Sequence, residues 1–156
     1  MKPAVSISKI TPPSFSQILD RPRLMERLDQ NRDKKLILLL GQAAQGKSTL
    51  AVYYVKASRI PSAWINLAPE DSDPVNFFYL LVYSLQRALT DIDLSPLLLY
   101  PSITGGPRDD LPLYREWLTG LFALMPVPVE VILDGLDRLH ANASTYRLLQ
   151  DRKSVV

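Results

Sequence analysis

Leu36-Ile37-Leu38-Leu39-Leu40 runs straight into Gly41-Gln42-Ala43-Ala44-Gln45-Gly46-Lys47-Ser48-Thr49, and this junction constrains the fold more than any other stretch. Gly, four residues, Gly-Lys-Ser/Thr is the pattern of a loop that cradles phosphate, and here it follows an apolar run of strand length. Glycines at 41 and 46 let the backbone turn tightly and bring its N–H groups close to phosphate oxygens. A helix opening near Lys47 would aim its positive dipole end at the same place. Lys47 adds a point charge for β- and γ-phosphates, Ser48 a hydroxyl suited to Mg²⁺, and Thr49 a neighbouring hydroxyl. The expected arrangement is therefore strand 36–40, loop, then a helix from about Lys47 to Ser58 burying Leu50, Ala51, Tyr54 and Val55.

The 156 residues suit one domain, and 47% hydrophobic residues suffice for its core. Residues 1–60 carry 11 Lys/Arg against 4 Asp/Glu, residues 61–156 carry 7 against 12, and the whole chain is only +2. A basic half holding the phosphate loop and an acidic half holding metal carboxylates would suit a Mg-nucleotide site; uncorrelated surface charge would give the same split. The small net charge does not mark a nucleic-acid binder, and no helix combines a basic face with helix-turn-helix spacing. Cysteine is absent, which removes disulfides and thiol chemistry. Met1–Ile10 lacks a signal-like apolar core and no apolar run is long enough to span a bilayer, so the expectation is a soluble, cytoplasmic protein without membrane contact.

Pro3, Pro12 and Pro13 mark residues 1–17 as an extended lead-in to a domain covering 18–156. A helix is expected to start at Asp20 or Arg21 with Pro22 in its first turn and Leu24, Met25 and Leu28 on its apolar face. Ala63–Leu67 reads as a strand. Asp73 reads as the N-cap of a helix reaching about Thr90, with Val75, Phe78, Tyr79, Val82, Leu85 and Leu89 on one face. Asp91–Pro107 reads as a loop, in which Asp91 and Asp93 are solvated residues more simply than a metal pair, and a third helix is expected over about Asp110–Met125.

Val129-Glu130-Val131-Ile132-Leu133-Asp134 is a mostly apolar strand ending in a carboxylate 87 positions after Lys47. In a parallel sheet the ligand crevice lies at the carboxyl ends of strands, which makes Asp134 the candidate metal carboxylate. Asp137, three residues on, is best placed in sequence to polarise an attacking water. Glu130 reads as a paired or edge-facing residue, and the single histidine, His140, is given no role.

Lys9-Ile10-Thr11-Pro12-Pro13, Arg21-Pro22-Arg23-Leu24, the Gly41–Leu50 loop, Ala63-Trp64-Ile65-Asn66-Leu67 and Glu70-Asp71-Ser72-Asp73-Pro74-Val75-Asn76-Phe77 together resemble the N-terminal part of MalT-like STAND NTPases, ATP-binding regulators of the LuxR type, over roughly residues 7–140. The resemblance implies a three-layer P-loop core with a parallel sheet, in a signalling ATPase that exchanges ADP for ATP, self-associates and regulates transcription through other domains. It matches Arg21 to an arginine near the adenine or ribose, Lys47 and Ser48 to the phosphate and Mg²⁺ positions, and Asp134 to the metal carboxylate. Asp134-Gly135-Leu136-Asp137 is closer to the NACHT-type pattern of the same superfamily, in which a further acid stands where this chain has Arg138. Slow Mg-dependent ATP hydrolysis is what that leaves open. The resemblance also places a further strand between the phosphate-loop strand and the Asp134 strand, and a lid beyond, so the chain is expected to be a truncated domain, incomplete at its C-terminus. A small P-loop phosphotransferase such as a kinase and a non-catalytic remnant are the alternative readings.

Overall fold

Ser62–Asn66 (β1) has Trp64 and Ile65 at its centre and proline on either side at 61 and 69, a composition that favours an extended, buried segment with clear ends. It pairs in parallel with Glu130–Asp134 (β2), in the register Ser62↔Glu130 to Asn66↔Asp134. The computed structural model describes residues 5–104, 110–141 and 143–150. The class is α/β, and among the described residues the sheet has these two strands alone. By contact the chain divides into two compact units, one of residues 12–60 and one of residues 1–11 with 61–156.

In the larger unit a parallel pair requires a long crossover, and helices supply it. Pro74–Ala88 (α3) starts where the sequence places it: Asp73 accepts a hydrogen bond from the Val75 N–H, and Pro74 takes the first helical position. The helix packs on β1 and buries Phe77, Phe78, Leu81, Val82 and Leu85. Leu111–Ala123 (α5) is capped by Asp110, which accepts from the Leu113 N–H, and packs on α3 through Tyr114, Trp117, Leu118 and Leu121. Trp117 meets Phe78 and Tyr114 with ring centroids 5.2 Å apart in both pairs, tilted or edge-on as aromatic quadrupoles prefer.

The expected loop over Asp91–Pro107 is corrected over its described part. Ser95–Leu99 is a 3-10 turn that leads into the short helix Tyr100–Thr104 (α4), with Leu94, Leu97 and Leu98 buried. The prolines that suggested a loop sit at 96 and 101, where they open helical turns instead of breaking them. Residues 105–107 lie outside the described residues. Ser144–Gln150 (α6) closes the unit, contacting α5 and the 3-10 turn Pro69–Ser72.

The lead-in is also more structured than expected. Ile7–Ile10 forms a 3-10 turn against β1, and Asn66 Nδ2 donates to the carbonyls of Ser8 (2.7 Å) and Thr11 (2.9 Å). Trp64 Nε1 in turn donates to Asn66 Oδ1 at 2.8 Å, as residues two apart on one strand face can.

The smaller unit contains Pro22–Asp29 (α1) and Lys47–Ala57 (α2). Pro22 opens α1 as expected and Leu28 is its buried anchor. The Arg32 guanidinium carbon lies 5.1 Å from the ring centre of Tyr54 on α2. On α2 the buried residues are Leu50 and Val52, while Ala51, Tyr54 and Val55 are half-buried, so the expected face is shifted.

The principal correction concerns residues 36–40. They form no strand: no ladder joins them to any described residue, and Leu38 and Leu40 are 57% and 88% exposed. A strand is completed by a neighbour that takes its N–H and C=O groups, and apolar composition alone supplies none. No helix among the described residues is long and apolar enough to cross a membrane.

Candidate functional site

Residues 41–46 turn back on themselves to meet the first turn of α2. Ala44 has φ 61° and Gly46 φ 77°, both in the left-handed region. Glycine takes that conformation freely, whereas Ala44 holds it at a cost of about 1 kcal/mol, the kind of local strain found at ligand-binding loops. A Cβ at Gly46 would also lie 2.9 Å from Arg21 Nη2, so a side chain there would have to push the guanidinium aside. The Leu50 N–H bonds the Gly46 carbonyl and starts α2 directly behind the loop.

Three side chains converge on this backbone. Lys47 Nζ donates to the carbonyls of Gly41 and Gln42, both at 2.7 Å. Gln45 Oε1 accepts from the Gln42 N–H at 2.9 Å. Arg21 Nη1 donates to the Gln45 carbonyl at 2.9 Å. The resemblance associates Arg21 with a base or sugar; in the structure its guanidinium lies on the loop backbone at Gln45 and Gly46. Ser48 and Thr49 are half-buried in the first turn of α2.

The loop forms one wall of a cavity of about 850 Å³ within the smaller unit, in the size range of small-molecule sites. Arg21, Arg27, Lys34 and Lys47 line it together with the apolar run 36–40 and Leu24, and no acidic residue does. Lys34 is paired with Asp33 at 3.1 Å; Arg21, Arg27 and Lys47 favour an anion, and the leucine side chains favour a ligand that also carries a flat or apolar part.

The carboxylate candidates belong to the larger unit. Asp134 ends β2 beside Asn66, and its carbonyl accepts from the Leu67 N–H at 2.8 Å. Asp137 is exposed in the 3-10 turn Leu136–Arg138, which Gly135 enters at φ 86°. Arg138 folds back to donate from Nη1 to the Leu67 carbonyl at 3.3 Å. Among the described residues no three His, Cys, Asp or Glu side chains form a metal-holding group. His140 is exposed, and its backbone N–H donates to Ser72 Oγ. Asp93 accepts from the Ser95 N–H and Asp91 is exposed, which makes both parts of a turn.

One polar cluster had no sequence signal. Lys9 Nζ contacts both oxygens of Asp71, at 2.7 and 2.8 Å, and Glu70 at 2.8 Å. Asp71 is 1% exposed and also accepts from the Ala68 N–H. Burial works to lower the Lys9 pKa, but the hydrogen bonds and charges of Asp71 and Glu70 outweigh it and raise the pKa above 10.5. Glu70 is lowered below 4.5, chiefly by its hydrogen bond from Lys9. The partners stand 62 residues apart, beyond the reach of any local pattern.

No protein-family model, curated protein or solved structure matches the chain.

Proposed function

We propose that the chain is a nucleotide-binding module of the P-loop class, which takes ADP and Mg-ATP at residues 41–49. The observation that carries this reading is the phosphate-loop pattern on the wall of a cavity of about 850 Å³ lined by Arg21, Arg27 and Lys47. The residues suit the ligand. Loop N–H groups and the α2 N-terminus would hold phosphate oxygens, Lys47 would exchange its two carbonyl acceptors for β- and γ-phosphates, and the leucine-lined part of the cavity would take the base. Bound magnesium would offset phosphate charge, with the Ser48 hydroxyl as its ligand in the loop. Asp134 and Asp137 belong to the metal and hydrolysis parts of this reading through sequence pattern alone. The three-layer P-loop core, the place in a STAND-type transcriptional regulator, the ATP-dependent self-association and the cytoplasmic location are parts of the same proposal and rest on the resemblance.

The test is equilibrium binding of ADP and Mg-ATP to the full chain beside Lys47→Ala. The expected outcome is a loss of about 100-fold or more in the variant with an unchanged far-UV circular dichroism spectrum, since a charged donor with two phosphate partners is removed. Equal affinity in the two proteins would refute the site.

A further inference from the structure

The phosphate loop is already occupied by a group of its own. An anion bound there needs the N–H groups of the turn and the Lys47 ammonium. In the structure the Gln42 N–H points at Gln45 Oε1, 2.9 Å away, and Lys47 Nζ is turned onto the Gly41 and Gln42 carbonyls. The same Gln45 oxygen stands 2.7 Å from the point where a Cβ on Gly41 would lie, with Lys47 Cδ 3.7 Å from that point. The carboxamide therefore fills the space that the missing side chain of Gly41 leaves open.

We propose that Gln45 is an internal stand-in for phosphate, a side-chain stopper that holds the empty loop in shape and must leave before an anion enters. This rests on the nucleotide reading of the loop and adds its regulation. An amide oxygen suits the role because it accepts a loop N–H, as a phosphate oxygen would, but carries no charge. Charge-assisted hydrogen bonds are about twice as strong as neutral ones, so a phosphate can displace it while water does so less readily. The hydrogen bond from Arg21 Nη1 to the Gln45 carbonyl fixes the backbone of the same residue. The side chain can then swing out by rotation about its own bonds, and the loop keeps its left-handed turns at Ala44 and Gly46. The exposure of Gln45 gives the released side chain water to enter.

The proposal requires opposite responses from two variants. Gln45→Ala removes the stopper, and affinity for ADP should rise about three- to tenfold, the worth of one hydrogen bond that no longer has to be broken. Gln45→Glu places a carboxylate in the same space, where it binds the N–H more strongly, attracts the Lys47 ammonium and repels phosphate, and affinity should fall about tenfold or more. A residue that only supports the loop would weaken binding in both variants. Titration calorimetry with ADP and with inorganic pyrophosphate on the full chain, with Lys47→Ala as control, reads all of these. Unchanged or weaker binding by Gln45→Ala, with binding still lost in Lys47→Ala, overturns the stopper and leaves the nucleotide site standing. Absence of Lys47-dependent binding in both the natural chain and Gln45→Ala overturns the nucleotide reading and the stopper with it. Binding that emerges only in Gln45→Ala supports the stopper.

Discussion

Residues 61–150 bury Ile65, Leu85 and Leu121 completely, whereas among residues 12–60 only Leu28, Leu50 and Val52 are buried and Leu36, Leu38 and Leu40 are exposed. Both stretches are rich in leucine, so composition does not separate them. The larger unit has strands and helices that cover one another, with α3 on β1 and α5 on α3. The smaller unit has two short helices and an apolar run without a ladder. Three of its side chains, Arg21, Gln45 and Lys47, bond to the backbone of residues 41–46. Burial is thus concentrated in one part of the chain and the proposed ligand site lies in the other, as expected if ligand-binding loops are drawn from the less stable part of a protein.

The largest test of that contrast is Leu121→Ala. Leu121 is 0% exposed, and its truncation should cost about 2–5 kcal/mol in urea unfolding through lost burial and the cavity left behind. A cost below about 1 kcal/mol would mean that the larger unit is packed no more tightly than the smaller one.

Lys9→Met comes next. It leaves the Asp71 carboxylate buried without its cation, and unfolding free energy should fall by about 2–4 kcal/mol. The pH dependence sharpens the same point. A raised Lys9 pKa adds stability that is fully present below about pH 10.5 and is lost as pH rises through the folded value. A lowered Glu70 pKa adds stability present above about pH 4.5 and lost as pH falls through the folded value. Thermal melts of the natural chain should show both losses, while those of Lys9→Met should lack the alkaline one and keep only a smaller acid one, since a backbone hydrogen bond also lowers Glu70. An unchanged melting profile in the variant would show that the lead-in is not held by this cluster.

The smallest expected effect is that of Leu38→Lys. At 57% exposure the substitution should change stability by less than about 0.5 kcal/mol, while light scattering should report less self-association because an apolar run is interrupted. A loss of more than 2 kcal/mol would break the comparison, since it would show residues 36–40 to be packed in the folded chain.

Much of this architecture is legible one segment at a time. Asp73-Pro74 and Asp110 announce α3 and α5 because an N-cap carboxylate and a first-turn proline act on residues beside them. The strands around Trp64 and Ile132 are visible as short apolar runs with proline or polar ends. The loop at 41–49 is legible for the same reason, since Gly46 and Lys47 act on atoms a few residues away. The buried turn at Ser95–Leu99 was hidden by prolines that read equally well as loop or helix start. The orientation of Gln45 was hidden too, because a side-chain rotamer leaves no mark on a motif.

By itself, then, the sequence determined the starts of α1, α2, α3 and α5, the two strand segments and the phosphate-loop pattern, all products of forces that reach no further than about one turn of chain. Only tertiary structure decided that β1 pairs with β2, that Lys9 meets Asp71 and that residues 36–40 join no ladder among the described residues. A sheet edge or a buried ion pair needs a partner brought from a distant part of the chain, and whether that partner arrives depends on the packing of everything between.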